Sequence, residues 1–206
     1  MSEYKDYGYV DDSFSCAHSF LLNTIEKLLN SGEHRSILDI GCGNGAVANF
    51  LISKGFDVYG TDASSSGIQI ANKKNPGRFF IQDLSIDEMP SEIKNKQFDT
   101  VISTEVVEHL YDPRKYISIC KSILRCGGTV IISTPYHGYL KNLALSIFNH
   151  WDKHHTPLWD GGHIKFWSKR TLTVLLEEQG FKVEKIIGIG RMPYLWKSMV
   201  LIATLK

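Results

Sequence analysis

The segment SILDIGCGNGAVANFL, residues 36–51, constrains the fold most, because three glycines follow a short apolar run at alternate positions. Each glycine costs backbone entropy and supplies no side chain for packing, so glycine at this density is unfavourable inside a strand or a helix. The pattern therefore predicts a buried strand, a sharp turn and a helix that begins close to the strand. A carboxylate, Asp39, lies two residues before the first glycine, Gly41.

Strand-like and helix-like segments alternate over the first two thirds of the chain, which is typical of a parallel sheet covered on both faces. The last two strand-like segments lie close together, so we expect an antiparallel hairpin at one edge. The sequence thus predicts an α/β fold with a doubly wound, mostly parallel seven-stranded sheet. The predicted strands are 36–41, 57–62, 78–84, 98–105, 126–134, 181–190 and 198–206, and the predicted helices are 17–30, 45–55, 64–74, 106–110, 113–124 and 168–180.

The length of 206 residues fits one domain with a substantial core. We interpret 1–206 as a single domain, in which 1–33 form an N-terminal helical segment and 135–165 an insertion. Lys and Arg number 23 against 22 Asp and Glu, a formal net charge of +1. This balance argues against a surface that neutralises many phosphates, so a nucleic-acid partner is not expected.

The cysteine pattern indicates reduced thiols, because none of the four cysteines has CxxC spacing. They are Cys16, Cys42, Cys120 and Cys126. The polar, acidic start MSEYKDYGYVDDSF is unlike a signal peptide, and no apolar run approaches the ~18 residues that span a bilayer. We expect a cytoplasmic protein and leave peripheral contact with a membrane open. The sequence predicts no oligomeric state.

The glycine turn lies where ligands bind in a doubly wound sheet, at the carboxyl ends of the strands. Gly41 and Gly43 let the chain turn sharply beside bare backbone, and Gly45 lets the helix begin close to the sheet. Asp62 ends the second predicted strand, where a carboxylate can accept both hydroxyls of a ribose. The turn and Asp62 together favour a nucleoside ligand over a turn without a ligand.

Asp39 discriminates between two classes of nucleoside. The small residues Gly41, Gly43 and Ala46 also fit the looser dinucleotide pattern, which would indicate a nicotinamide-dependent oxidoreductase. A dinucleotide places its pyrophosphate on this turn, and Asp39 would repel it. S-adenosylmethionine carries an ammonium and a sulfonium instead, and a carboxylate favours both. The absence of a second mononucleotide-binding half also disfavours the oxidoreductase.

Four motifs, ILDIGCGNG, TD, QDL and EVVEHL, together resemble the class I S-adenosylmethionine-dependent methyltransferases. The resemblance covers most of the chain and implies the class I methyltransferase fold with S-adenosylmethionine as cofactor. It implies that Asp62 binds the ribose, that Asp83 and Leu84 border the adenine, and that Thr104 lines the pocket floor. The methionine part would lie against Asp39, Gly41, Gly43 and Gly45. A helix cap or turn residue is the alternative for Asp83.

The segment STEVVEHL places Glu105, Glu108 and His109 at i, i+3 and i+4, on one face if a helix begins near Glu105. Two carboxylates packed together repel unless a cation or a proton separates them. With the imidazole they offer three ligands for a divalent metal, and a later histidine would supply a fourth. The alternatives are a solvated first turn, or His109 acting without metal as a general base.

Two methyltransferase families share this pattern. The ubiquinone-biosynthesis O-methyltransferases carry ExxEH and a later histidine, and GGHIKFWSKRTL resembles that segment with His163 in the matching place. The small-RNA 2′-O-methyltransferases hold a metal with two glutamates and two histidines. The resemblance implies Glu105, Glu108, His109 and His163 as ligands for Mg²⁺, Mn²⁺, Fe²⁺ or Zn²⁺, with Glu105 and His109 catalytic. The chain lacks the basic excess of the RNA enzymes, and its insertion departs from the quinone enzymes, so the acceptor does not carry over.

The insertion 135–165 is too long for a simple connection. An apolar stripe at helical spacing predicts an amphipathic helix that packs on the core, formed by Leu140, Leu143, Ala144, Ile147, Phe148 and Trp151. A lid over an apolar substrate and contact with a membrane surface are the alternatives. The insertion's other histidines, His137, His150, His154 and His155, are interpreted as solvated or structural. The segment GRMPYLWKSM is expected to wall the same pocket.

These observations together predict O-methylation of a small or amphipathic hydroxyl acceptor, with or without a divalent metal. A glycan or other acceptor, with His109 as a metal-free base, is the alternative within the same class. A non-catalytic methyltransferase-like subunit that needs a partner is the remaining alternative, and the intact ligand motifs argue against it.

Overall fold

The computed structural model describes residues 6–14, 18–30, 35–86, 89–155, 157–159, 161–190 and 192–206. The predictions for Cys16 and for part of the segment 1–33 lie outside these residues. Seven strands occur in the described part of the chain: β1 (Ser36–Ile40), β2 (Asp57–Asp62), β3 (Phe79–Ile81), β4 (Phe98–Thr104), β5 (Leu124–Pro135), β6 (Phe181–Ile189) and β7 (Ser198–Leu205).

The strands form one sheet in the order β3-β2-β1-β4-β5-β7-β6. Strands β1 to β5 pair in parallel with one another. Strand β7 pairs antiparallel with both β5 and β6, so the last two strands form the edge hairpin. The predicted fold, a mostly parallel seven-stranded sheet with an antiparallel edge, is confirmed. The order reverses direction at β1 and β4, which places the switch point beside the glycine turn.

The helices that cover the sheet are α1 (His18–Asn30), α2 (Ala46–Ser53), α3 (Ser65–Lys74), α4 (Pro113–Ile123) and α7 (Lys169–Glu178). Neighbouring side chains of β1 point to opposite faces, because the strand period is two. Ile37 packs with α1 and α2, whereas Leu38 packs with α4 and α7. Both faces are therefore covered, as a parallel sheet requires.

The insertion forms two short helices, α5 (Tyr139–Ile147) and α6 (Trp151–His155). The expectation that their apolar stripe packs on the core is wrong. The stripe's large side chains are between 41% and 67% exposed, and they are Leu140, Leu143, Ile147, Phe148 and Trp151. The residue that α5 buries is Lys141, whose Nζ donates to the Lys197 carbonyl at 3.5 Å. The side chain of α5 that faces inward is therefore a polar one.

The structure also bears on the predictions for membrane-spanning segments and for the cysteines. Among the described residues, no helix is both long enough and apolar enough to cross a bilayer. The cysteines in this part of the chain are free, with Cys42 and Cys120 buried and Cys126 exposed.

Candidate active site

A cavity of about 1440 Å³ opens at the carboxyl ends of the parallel strands. Ligand pockets are typically about 300–1,000 Å³, so this cavity has room for two small molecules at once. Its walls come from the glycine turn, the ends of β2 and β4, the loop after β3, the insertion and the start of β7. From the segment GRMPYLWKSM, Lys197 and Ser198 line it.

The glycine turn adopts a backbone that other residues rarely adopt. Gly41, Gly43 and Gly45 have φ of 75°, 54° and 72°. A Cβ on Gly41 would collide with Val106, and one on Gly43 would lie 2.6 Å from the Tyr9 hydroxyl oxygen. The glycines are therefore required by neighbouring side chains as well as by the turn, which the sequence pattern alone did not indicate.

Asp39 lies behind the turn and is fully buried. Neither of its carboxylate oxygens has a hydrogen-bond partner among the described residues. Burial, and then the charge of Asp62, raises the pKa of Asp39 to about 8. A buried carboxylate without a partner costs free energy that a cationic ligand would return. Asp39 itself does not line the cavity, so its assignment to an ammonium group of the ligand stays a prediction.

Asp62 holds the turn from the end of β2. Its Oδ2 accepts the Gly43 N–H at 2.8 Å, and its Oδ1 accepts the Ser64 N–H at 2.8 Å. Burial raises the pKa of Asp62, against the hydrogen bonds from Ser64 and Gly43, which lower it. The carboxylate lines the cavity while its position is fixed by backbone donors.

The other predicted cofactor residues surround the same space. Asp83, Leu84 and Thr104 line the cavity, while Gly45 lies behind it at the start of α2. Asp83 Oδ1 accepts the Ser85 N–H at 2.8 Å, which is the turn geometry of the alternative interpretation. Thr104 Oγ1 lies 3.2 Å from His18 Nε2. Asp83 thus combines a turn role with a place on the cavity wall.

Residues 6–14, here called the N-terminal strap, cross the cavity beside the glycine turn, and sequence reasoning missed them. Asp6 accepts the Ser64 hydroxyl at 2.8 Å and the Ser66 N–H at 3.1 Å, at the first turn of α3. Burial acts to raise the pKa of Asp6, but these hydrogen bonds hold it well below its usual range. Asn44 Nδ2 donates to the strap's Asp11 carbonyl at 2.9 Å. No local sequence pattern indicated this contact, because Asp6 and Ser64 lie 58 positions apart.

Two strap tyrosines line the cavity. Tyr9 lies over Gly43, and its backbone N–H donates to Ser66 Oγ at 3.0 Å. The Tyr7 hydroxyl donates to the Gly161 carbonyl at 3.0 Å, and its ring meets Trp159 edge-on with centroids 6.0 Å apart. The strap therefore connects the glycine turn with the insertion.

Glu105 follows β4 in a left-handed conformation, with φ of 56°. The prediction of a helix over 106–110, beginning near Glu105, is wrong, because a short 3-10 turn, Val107–His109, occupies this position. The Glu105 carboxylate accepts hydrogen bonds from the Ser133 hydroxyl at 2.8 Å and the Ser198 hydroxyl at 3.3 Å. Burial raises the pKa of Glu105, against these hydrogen bonds, which lower it.

Glu108 is 1% exposed and accepts the Thr134 hydroxyl at 2.9 Å through Oε2. Its Oε1 is buried without a hydrogen-bond partner in the described part of the chain. Burial, and then the charge of Glu105, raises the pKa of Glu108 well above its usual value. A proton or a cation is therefore required to stabilise the two carboxylates together.

The His109 ring is held by the insertion. Its Nδ1 lies 2.7 Å from the Gly161 carbonyl oxygen and 3.2 Å from that of Gly162. Because a carbonyl only accepts, Nδ1 carries the proton and Nε2 keeps a lone pair. Burial lowers the pKa of His109, so the ring is neutral at physiological pH.

Three of the four predicted metal ligands converge. Ligand atoms of Glu108, His109 and His163 all lie within 4.8 Å of one another. The His109 and His163 rings have centroids 4.9 Å apart, and burial, followed by His109, lowers the pKa of His163 to about 4. The fourth residue, Glu105, lies beside this group but bonds to the two serines. One carboxylate with two neutral imidazoles suits a divalent metal ion.

Comparison with known proteins identifies the family. A family model described as "Methyltransferase domain" matches residues 16–186. The ubiquinone biosynthesis O-methyltransferase of Ruegeria sp. (strain TM1040) is 32% identical over 168 residues, which cover 78% of this chain and 66% of that protein. The mitochondrial ubiquinone biosynthesis O-methyltransferase of Homo sapiens is 29% identical over 164 residues, covering 77% and 44%. The chain thus spans less than two thirds of the length of these relatives.

A solved structure supports the same assignment at the level of the fold. The magnesium protoporphyrin IX methyltransferase of Synechocystis PCC 6803, determined with bound SAH, superposes with a TM-score of 0.70 at 20% identity. The match covers 96% of this chain and 91% of that one. Together with the family match, it establishes that the chain belongs to the methyltransferase domain family, among the class I S-adenosylmethionine-dependent methyltransferases.

Proposed function

We propose that the protein transfers the methyl group of S-adenosylmethionine to a hydroxyl oxygen of a small or amphipathic acceptor. The observation that carries the proposal is the convergence of Glu108, His109 and His163 beside the cavity, which is also lined by residues proposed to bind the cofactor. None of these three residues is assigned to the cofactor, and the group suits a hydroxyl that must lose its proton. The names of the two relatives, both O-methyltransferases, support this choice.

The cofactor is proposed to bind along the wall from the glycine turn to the loop after β3. Asp39 is suited to the ammonium of the methionine part, because its buried carboxylate has no other partner among the described residues. Asp62 is assigned to the ribose, Asp83 and Leu84 to the adenine, and Thr104 to the floor. Gly41, Gly43 and Gly45 leave the backbone bare on that wall.

Bound S-adenosylmethionine supplies a methyl group on a sulfonium, which departs as a neutral sulfide. Alignment therefore supplies much of the rate, and the protein's contribution is to hold the two reactants and exclude water. The N-terminal strap and the insertion meet through Tyr7 and Gly161 and so cover the cavity. The cavity's volume of about 1440 Å³ accommodates the acceptor beside the cofactor.

The acceptor hydroxyl must also lose its proton. Two assignments of the polar cluster, which comprises Glu105, Glu108, His109 and His163, account for this step. In the first, Glu108, His109 and His163 would hold a divalent metal with Glu105 as the fourth ligand, and such an ion would supply Lewis acidity that lowers the pKa of the acceptor hydroxyl. The unpartnered Glu108 Oε1 supports this assignment. In the second, His109 Nε2 takes the proton without metal, which the bond from Nδ1 to Gly161 supports.

An assay with labelled methyl donor tests the proposal. We would offer the protein phenols, quinol precursors and glycans, with and without EDTA. Transfer to oxygen of a phenol or quinol precursor is expected, and EDTA should abolish it until a divalent ion is restored. His163→Ala should lose turnover yet bind S-adenosylmethionine normally, whereas the control His150→Ala should keep both.

Two outcomes would redirect the proposal. Full turnover in EDTA, with only His109→Ala inactive, would establish His109 as a metal-free base. Binding of S-adenosylmethionine without transfer to any hydroxyl acceptor would contradict O-methylation and favour a subunit that needs a partner.

A further inference from the structure

A second group of histidines lies in the insertion, apart from the ExxEH segment. His137 follows β5, and His154 and His155 end α6. One nitrogen of each lies within 4.8 Å of the others. The His137 and His155 rings stack with centroids 5.5 Å apart, and those of His154 and His155 meet edge-on at 4.8 Å. Three imidazoles from two separate segments therefore converge on one point.

Packing alone leaves this arrangement unfavourable. His137 is 7% exposed, and its Nε2 is buried without a hydrogen-bond partner in the described part of the chain. Both ring nitrogens of His155 are likewise buried without a partner there. Phe166 packs edge-on against both rings, so aromatic neighbours enclose the nitrogens but offer them no hydrogen bond. Desolvated nitrogens without partners cost free energy that a bound ion would return.

The protonation of the three rings suits ligands rather than cations. Burial, and then the charge of Lys141, lowers the pKa of His137 and of His154 to about 4. Burial also lowers the pKa of His155. Neutral imidazole is the form that binds a metal, and at neutral pH no proton has to leave first.

We propose that His137, His154 and His155 form a second metal site, which binds a divalent transition-metal ion such as Zn²⁺ and ties α6 to the segment after β5. Three imidazoles without a carboxylate favour Zn²⁺ and its neighbours over Mg²⁺, which prefers oxygen. Tetrahedral Zn²⁺ with bonds of about 2.0–2.1 Å holds ligand nitrogens about 3.4 Å apart, so small ring rotations complete the site.

A bound metal ion would stabilise α6. The helix has five residues and none of its side chains is fully buried, so neither its length nor its packing stabilises it strongly. His154 also lines the main cavity, so ordering α6 shapes that wall. Lys141 opposes a cation here, but burial lowers the pKa of its amine to about 8, so that this repulsion weakens as the pH rises through about 8. The inference does not depend on the proposed methyl acceptor.

Metal stoichiometry tests the site directly. The full chain is stripped with EDTA, dialysed and titrated with Zn²⁺, and bound zinc is measured by mass spectrometry. The double variant His154→Gln/His155→Gln should bind one ion fewer per chain than the wild type. The matched control His150→Gln, an exposed histidine just before α6, should bind as many as the wild type. Equal zinc content in the double variant and the wild type would overturn the proposal.

A second measurement avoids reliance on the double variant. The variant His163→Gln removes a proposed ligand of the polar cluster. X-ray absorption of zinc bound to this variant should show a shell of three imidazoles. Zn²⁺ should also slow tryptic cleavage after Lys153 at least tenfold in this variant and in the control. Loss of all zinc in His163→Gln, or cleavage unaffected by Zn²⁺, would show that these histidines only pack.

Discussion

The Tyr7 hydroxyl donates to the Gly161 carbonyl at 3.0 Å, across 154 positions of the sequence. The same carbonyl oxygen lies 2.7 Å from His109 Nδ1. One backbone oxygen of the insertion thus receives both the N-terminal strap and the imidazole of the polar cluster. Closure of the cavity and orientation of His109 are therefore coupled.

Tyr7→Phe tests that coupling. The variant keeps the ring contacts with Trp159 and His109 but removes one hydrogen bond, which contributes about 0.5–1.5 kcal/mol. We expect S-adenosylmethionine to bind roughly two- to tenfold more weakly by calorimetry, and turnover to fall. Tyr139→Phe, at an exposed tyrosine of α5, serves as control. Identical affinity in the two variants would show that the strap does not cover the cofactor.

Asp62→Ala tests the assignment of the ribose. Each charge-assisted hydrogen bond contributes about 1.5–3 kcal/mol, so affinity for S-adenosylmethionine should fall at least roughly tenfold. The Gly43 N–H also loses its acceptor, which adds to the effect. Asp57→Ala, at the exposed start of the same strand, should bind normally. A folded Asp62→Ala protein with unchanged affinity would be evidence against this placement.

Asp39→Asn should change stability in a pH-dependent way. The pKa of Asp39 is raised from 3.8 to about 8 in the fold. A carboxyl group whose pKa is higher in the folded than in the unfolded state contributes most to the free energy of unfolding at low pH, where it is protonated. That contribution is lost as the pH rises from about 4 to about 8. Without cofactor, Asp39→Asn should therefore gain stability relative to the wild type between pH 5 and pH 8.5.

Urea unfolding at both pH values measures this effect, which we expect to be on the order of 4 kcal/mol. Because other titrating groups are common to both proteins, the difference between them isolates Asp39. The variant should also bind S-adenosylmethionine more weakly. A stability difference that is equal at pH 5 and pH 8.5 would contradict the raised pKa.

Phe148→Asp separates the remaining interpretations of the insertion. Phe148 is 67% exposed at the end of α5, so the variant should fold. If the apolar stripe covers the acceptor, turnover should fall while affinity for S-adenosylmethionine stays unchanged. Val174→Asp, an exposed position on α7, is the control. Normal turnover in Phe148→Asp, with lost binding to lipid vesicles, would favour contact with a membrane surface instead.

Much of the fold follows from local sequence pattern. The apolar run before the glycines, the alternation of segments and the close final strands predicted the sheet and its antiparallel edge, and the structure confirms them. These features are local because strand and helix periods record which side of each segment is buried. The same pattern brought Asp62, Asp83 and Thr104 to one cavity, since parallel strands share a carboxyl edge.

The errors arose where one pattern fits two surroundings. An amphipathic stripe has the same period whether a core or another partner covers it, so the sequence did not predict that α5 would bury Lys141 and expose Phe148. The predicted helix 106–110 is replaced by a short 3-10 turn, and the Glu105 carboxylate before it bonds to Ser133 and Ser198, which come from distant strands. Contacts of that kind override local propensity.

By itself the sequence determined which segments form strands and helices, where the glycine turn lies and which acids lie beside it. Each of these features depends on neighbours within one segment. Only the tertiary structure decided that the strap crosses the cavity, that Gly161 orients His109, and that His137 meets His154 and His155. These contacts join segments far apart in the chain. Their geometry is set by the packing of the whole sheet and its helices, and no local period records it.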